Sequence, residues 1–190
     1  GITYNISDKV ALSLNVDHMK YKVIRNQATT IDGTINGDYD VWNGNYNNEQ
    51  IIMTNNLLKL EHTDGLNYVN MGYSRNLIEK NQFKTIAVST DLGGSIGFML
   101  PKTNSEILGK DRHDEFHLSG FGLGIHSGLK IHIGKPLFLG LNAKGGFINM
   151  PNIRTTANEQ DSASQHFFYL QGNFVFGFTI NAKNIKKPSK

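Results

Sequence analysis

The clearest indication of the fold is the segment HFFYLQGNFVFGFTIN, which runs from His166 to Asn181. From Phe168 to Ile180 its even-numbered positions are apolar except for one glycine, whereas its odd-numbered positions include Gln171 and Asn173. A period of two predicts a β-strand with one apolar and one polar face, because successive side chains of a strand point to opposite sides. The predicted strand is far longer than the roughly five or six residues typical of globular proteins.

The same alternation recurs upstream in five further segments and in one short fragment. In each of them a mostly apolar face opposes a face of Gly, Ser, Asn and single charges. These apolar faces run from Leu137 to Phe147, Phe121 to Ile133, Ile86 to Leu100, Val69 to Tyr73, Val10 to Val16 and, in the fragment, Ile2 to Ile6. The pattern therefore predicts six long strands and a short seventh one.

The composition excludes several classes of protein. Only 18% of the residues are charged, 20 are glycine and none is cysteine, so neither a disulfide framework nor cysteine chemistry is expected. The mean hydropathy is −0.35, and there is no apolar run of the roughly 18 residues that a transmembrane helix needs. Apolar and aromatic residues recur along most of the chain, which argues against disorder. An all-β domain remains.

The net charge of +3 does not indicate a nucleic-acid partner. The densest basic run is the tail 183–190, which holds Lys183, Lys186, Lys187 and Lys190. A basic terminus of this kind is more typical of a solvated tail than of a binding arm. The sequence thus predicts one β-domain over residues 1–182, followed by a basic tail.

The connections between the predicted strands alternate in length. Residues 7–9 and 134–136 are expected to be tight turns and 76–82 a modest one, whereas 26–50, 102–115 and 155–165 are expected to be long polar loops. Short turns at one end and long loops at the other are typical of bacterial outer-membrane barrels. A soluble β-sandwich neither sorts its loops in this way nor needs such long strands.

The two faces of the strands also favour a membrane. The apolar faces carry almost no ionisable residue, as contact with hydrocarbon requires, and the small polar faces suit a crowded interior. We therefore predict an all-β, antiparallel transmembrane β-barrel. Eight strands are expected because single-chain bacterial barrels have an even number, with the missing strand before Gly1 or in a segment that the pattern does not reveal. Leu58 and Leu60 have the opposite parity to Val69, which a bulge near Asp64 and Gly65 would explain.

In its pattern and size the chain resembles the small bacterial outer-membrane β-barrels typified by the OmpA transmembrane domain. The resemblance covers nearly the whole chain, but it lies in the architecture rather than in a family motif. It implies a fold and a location in the bacterial outer membrane, and little about activity.

Five ionisable residues fall on the polar faces of the predicted strands. Inside a narrow barrel opposite charges must pair, because an isolated buried charge costs several kcal/mol. We expect these residues to form a polar network of paired charges in the lumen, with a path for a small solute as the alternative. They are Asp17, Asp91, His126, Lys130 and Lys144.

A second group of residues lies where the strands meet the long loops. Histidines and carboxylates gathered on one rim could ligate a metal or form a catalytic pair. No pair has the spacing on one strand face that known barrel enzymes use, so we predict that the group forms neither a catalytic site nor a metal site. The candidates are His18, His62, Asp64, His113 and His117.

These observations favour an outer-membrane barrel with a structural or interaction role that acts through its external loops. The expected partners are outer-membrane lipid, including lipopolysaccharide, and other outer-membrane proteins, and no cofactor is expected. Two alternatives stay open. One is an outer-membrane enzyme acting on lipid or peptide at the extracellular rim, and the other is a soluble lipocalin-like carrier with its apolar faces turned inward.

Overall fold

The computed structural model describes residues 1–37, 40–62, 64–83, 86–111, 115–134 and 136–180, so the basic tail lies outside the described residues. Within these ranges the chain forms thirteen strands and a short 3-10 helix, Asp40–Trp42. The strands are β1 (Ile2–Asn5), β2 (Val10–Met19), β3 (Ala28–Ile35), β4 (Gly44–Ile52), β5 (Leu58–His62), β6 (Leu66–Phe83), β7 (Ile86–Met99), β8 (Lys102–Ile107), β9 (Lys110–Asp111), β10 (Glu115–Phe116), β11 (Gly120–Ile133), β12 (Leu137–Arg154) and β13 (Ser162–Phe178). The described part of the chain contains no helix with the length and hydropathy that crossing a membrane requires.

Seven of these strands form the main sheet, in the order β1-β2-β6-β7-β11-β12-β13. Every neighbouring pair is antiparallel, which confirms the predicted all-β, antiparallel class. The ladder between β11 and β12 runs without a break from Phe121 opposite Asn149 to Ile133 opposite Leu137. β1 is short and covers only Ala11 to Leu14 of β2. Within the described ranges, no ladder joins the two edge strands, β1 and β13.

The main sheet keeps the two faces that the sequence predicts. Along β13 each even-numbered side chain is exposed and each odd-numbered one is partly covered. Phe168 and Leu170 are more than four-fifths exposed, although both are fully apolar. β11 alternates in the same way, with its odd-numbered apolar residues exposed. One face of the sheet is therefore apolar and uncovered.

The opposite, polar face of the main sheet is concave. The ammonium group of Lys144 on β12 contacts the carboxylate of Asp17 on β2, although three strands lie between them. The hydroxyl of Tyr68 on β6 donates to the carbonyl oxygen of Gly122 on β11 at 2.9 Å, across β7. The ring of Tyr68 also meets that of Tyr169 on β13, with centroids 6.5 Å apart. Contacts between strands that are not neighbours require the sheet to curve around its polar face.

A second, smaller sheet lies at the end of the main sheet where the long connections emerge. Its order is β10-β8-β5, and β9 pairs with β8. The chain after β2 adds to β5 through the bridge between Lys22 and Glu61. We call this second sheet, with the chain at 21–23, the head. It adjoins a cluster of fully buried side chains at this end of the main sheet: Leu66, Tyr68, Met99, Ile148, Met150 and Ile153, with Leu60 and Tyr21 packed against them.

Three of the predicted connections are wrong. Segment 26–50 contains the hairpin of β3 and β4, and 102–115 contains β8, β9 and part of β10. Segment 76–82 is not a turn, because β6 continues to Phe83 and stays paired with β7 through two register shifts. The polar residues of these segments are typical of turns, and this led to the wrong prediction. The segments can still form strands, because the hydrogen bonds of a ladder join backbone groups and do not require apolar side chains.

The bulge expected near Asp64 and Gly65 is also absent. Leu58 and Leu60 belong to β5, which pairs with β8 and not with the main sheet. Gly65 has a φ of +80°, a left-handed conformation that favours glycine, and it lies in the turn between β5 and β6. The parity changes at this point because the chain passes from one sheet to another.

Candidate functional site

The concave face carries its charges in two clusters, of which the first lies around Asp17. The Asp17 carboxylate accepts from Lys144, and the amide of Asn70 donates to the same Oδ2 at 2.9 Å. The Lys144 ammonium also lies 5.0 Å from the centre of the Tyr68 ring. Lys144 is buried and Asp17 nearly so, and the ring and the amide replace part of the water that the two charges lose.

The second cluster lies around Asp91. Lys130 Nζ is 2.9 Å from Asp91 Oδ2, and His126 Nε2 is 3.9 Å from Asp91 Oδ1. Gly128 lies opposite Asp91 in the ladder of β7 and β11, and a Cβ at this glycine would come within 2.7 Å of the carboxylate. The absence of a side chain at Gly128 thus makes room for the carboxylate.

The structure therefore brings all five residues of the predicted polar network onto one face and pairs the two acids with the two lysines. Sequence reasoning missed Asn70 and Tyr68, which complete the first cluster. Both are even-numbered residues on β6, opposite in parity to the outward Val69 and Met71, and this parity could have found them. The first cluster neutralises buried charge, because each of its members contacts another.

Two of the predicted rim residues come together. His18 Nδ1 and Asn67 Oδ1 are 2.9 Å apart, and the Asn67 amide donates to the carbonyl oxygen of Asp64 at 3.0 Å. The Asp64 carboxylate forms an ion pair with Lys102 at 2.7 Å. Asn67 thus links the His18 ring to the backbone of Asp64, whereas the Asp64 side chain pairs with Lys102.

The other rim residues have different surroundings. His62 is buried, its Nδ1 is 3.1 Å from the Thr103 hydroxyl, and its ring stacks on that of Tyr21 with centroids 5.4 Å apart. Burial raises the pKa of the Tyr21 phenol, and a hydrogen bond from Gln165 offsets this in part.

His117 Nε2 lies 3.2 Å from the carbonyl oxygen of Asn152 and 3.3 Å from the backbone nitrogen of Arg154. His117 thus contacts the end of β12. His113 lies outside the described residues. In the portion of the chain that the structure describes, no group of three or more His, Asp or Glu side chains is placed to hold a metal ion. That the rim lacks a catalytic site stays a prediction.

Comparison with known proteins adds no relative to this picture, because no family model, curated protein or solved structure matches the chain.

Proposed function

We propose that this protein is a transmembrane β-barrel of the bacterial outer membrane with a structural or interaction role. The observation that carries the proposal is the uncovered apolar face of the main sheet. Large apolar residues stand exposed on all seven of its strands, among them Leu14, Met71, Ile96, Ile125, Leu141 and Phe174. A soluble monomer rarely exposes a contiguous apolar surface of this kind, whereas hydrocarbon requires one.

The height of this surface fits a bilayer. Along β13 the exposed apolar residues run from Phe168 to Phe178, a climb of roughly 33 Å at the usual rise of a strand. With the strand tilt of about 40° that barrels adopt, this gives an apolar band of about 25 Å, the height expected of an outer-membrane barrel.

The position of the charges supports the same proposal over the carrier. A lipocalin-like carrier turns its apolar side chains inward around a ligand, but here the concave face holds the paired charges of Asp17, Lys144, Asp91 and Lys130. The exposed side chains of His18 and His166 on the outward face lie at the ends of the apolar runs on their strands. Charges at these positions reach the headgroup layer at little cost.

In a bilayer the sheet must close, because an unpaired strand edge in hydrocarbon leaves backbone N–H and C=O groups without partners. The proposed barrel closes between β1 and β13. Because single-chain bacterial barrels have an even number of strands, we expect one further strand between β1 and β13 in the closed barrel. Tyr21, in the chain after β2, supports the closure because its ring stacks on Phe167 of β13 with centroids 5.6 Å apart.

The head supports an interaction role. It is tied to β12 and its continuation by buried hydrogen bonds, such as that from the Ser105 hydroxyl to the Thr155 carbonyl oxygen at 2.6 Å. Beyond it, the hairpin of β3 and β4 pairs with no other strand among the described residues. A fixed head that carries a protruding hairpin offers a partner a surface outside the membrane.

The experiment that tests the proposal compares the protein with and without detergent. We expect extraction to require detergent and the boiled and unboiled samples to migrate differently on a gel, because a closed barrel resists unfolding by the gel detergent at room temperature. A protein that stays monodisperse without detergent would overturn the membrane proposal in favour of the carrier.

A further inference from the structure

The outward face of β2 changes from apolar to basic where the strand ends. The alternation of exposed and partly covered side chains continues past Met19 to Lys22. The exposed residues on this face are, in order, Leu12, Leu14, Val16, His18, Lys20 and Lys22. If Val16, which is 61% exposed, lies in hydrocarbon, then His18 and the two lysines lie at the level of the headgroups, since a strand rises by roughly 3.3 Å per residue.

Beside these cations lies the turn at Gly65, and we call the surface formed by His18, Gly65 and Asn67 the Gly65 shelf. The ladder of β2 and β6 ends with Met19 opposite Leu66, so Lys20 follows the last paired residue of β2 and Gly65 precedes the first paired residue of β6. The His18 ring packs over Gly65 in the space where a side chain would stand. On the other side, Lys102 reaches the same turn through its ion pair with Asp64. Lys20 and Lys102 thus flank a surface of about two strand spacings, on the order of 10 Å.

The shelf is held by the hydrogen bonds of Asn67. Its side-chain oxygen lies 2.9 Å from His18 Nδ1, and its amide donates to the carbonyl oxygens of Asp64 and Leu100 at 3.0 and 3.1 Å. These bonds join β2, β6 and the end of β7 on the outward side. The shelf is therefore a fixed surface rather than a loose group of side chains.

Two of the cations on this surface have no carboxylate within ion-pair distance in the described part of the protein. Lys102 is paired with Asp64, and Lys22 lies opposite Glu61 in the bridge to β5. Within the described ranges, Lys20 and Lys22 form no ion pair. An ammonium group at the headgroup level attracts lipid phosphate, and the attraction falls off within a Debye length.

We propose that the Gly65 shelf, together with Lys20 and Lys22, binds the phosphorylated headgroup of an anionic glycolipid. The lipid's acyl chains lie along the apolar face of β2, and its phosphate contacts the lysines above Val16. This inference rests on the proposed membrane location, because only a lipid-facing surface brings acyl chains and phosphate to these residues together.

The experiment measures binding of diphosphorylated lipid A to the detergent-solubilised protein by native mass spectrometry. We expect the double variant Lys20→Gln/Lys22→Gln to bind it roughly 20-fold more weakly than the unmodified protein, and each single variant to lose part of this. Lys9→Gln is the matched control, since Lys9 is exposed in the turn at the opposite end of the sheet. It should bind like the unmodified protein.

Two further arms make the result decisive. Removing the phosphates from lipid A should abolish the difference between the double variant and the unmodified protein, and raising the salt concentration should shrink it. Equal binding by the double variant, or an equal loss in Lys9→Gln, would overturn the proposed site. Failure of the proposed membrane location would give a different result. The unmodified protein and all variants would then stay monodisperse without detergent.

Discussion

At the scale of single residues, Lys144 and Asp17 form a largely buried ion pair on the concave face. Their side chains are only 8% and 17% exposed, and their elements are separated by three strands of the sheet. Removing one member of a buried pair leaves the other charge without its partner, and this costs more than replacing both members with neutral groups.

We expect Lys144→Met to lower the free energy of unfolding by about 3–5 kcal/mol, because the buried Asp17 loses its cation. Urea unfolding of the refolded protein in lipid measures this. The double variant Asp17→Asn/Lys144→Met should recover most of the loss. If the double variant is no more stable than Lys144→Met, the pair does not act as a unit.

Gly122 shows how a missing side chain makes room on the same face. Tyr68 is fully buried, and a Cβ at Gly122 would lie 2.7 Å from its ring. The ring cannot easily withdraw, because its hydroxyl is hydrogen-bonded to the Gly122 carbonyl oxygen.

We therefore expect Gly122→Ala to destabilise the protein by about 1–3 kcal/mol through overpacking. Gly172→Ala is the matched control, since no heavy atom lies within 4 Å of a Cβ at that outward position of β13. Thermal unfolding, followed by the loss of the unboiled band on a gel, compares the two. Equal stability of both variants would mean that Tyr68 does not fill the space in front of Gly122.

At the scale of single elements, β13 is the clearest case of a strand with two different environments. Phe174 points outward and is 73% exposed. Its neighbour Asn173 points to the concave face, where its Oδ1 accepts from the Gln171 amide at 3.0 Å. Adjacent positions on one strand thus meet opposite surroundings.

We expect Phe174→Lys to impair membrane insertion and to cost about 2–4 kcal/mol if the residue lies near the bilayer midplane. Asn173→Lys should cost less, because its ammonium group enters a polar interior. The folded fraction in lipid vesicles at increasing urea concentration compares the two variants. Equal damage from both would contradict the assignment of the faces.

At the scale of the whole molecule, a side chain that the rest of the protein leaves uncovered can face either water or lipid. Ile125 on β11 and Ile24 beyond the end of β2 are 71% and 70% exposed. The proposed barrel places the first in hydrocarbon and the second above the membrane. Since the chain has no cysteine, a single introduced thiol reports on each position.

In lipid nanodiscs we expect Ile24→Cys to react readily with a water-soluble maleimide and Ile125→Cys to react far more slowly, because a thiolate does not form in hydrocarbon. After denaturation both should react fully. Fast reaction of both thiols in nanodiscs would contradict the membrane proposal, whereas slow reaction of both would place Ile24 within the membrane as well.

The alternation of apolar and polar residues was enough to predict the long strands of the main sheet and their two faces, because a period of two is a local property of a strand. From Phe168 to Ile180 the apolar and polar positions can be read without knowing any partner. It also placed Asp17, Asp91, His126, Lys130 and Lys144 on the polar face for the same reason. The same pattern did not predict the full length of β6 or the strands within 26–50 and 102–115, because the polar side chains of these segments resemble those of turns.

Which polar residues contact one another depends on how the strands pack in three dimensions. Lys144 and Asp17 are 127 positions apart, and no spacing in the sequence pairs them, because their contact depends on the curvature of the whole sheet. The partners of His18, His62 and His117 likewise follow from how the head joins the main sheet. Periodicity specifies the direction in which a side chain points, whereas the packing of distant strands specifies what it contacts.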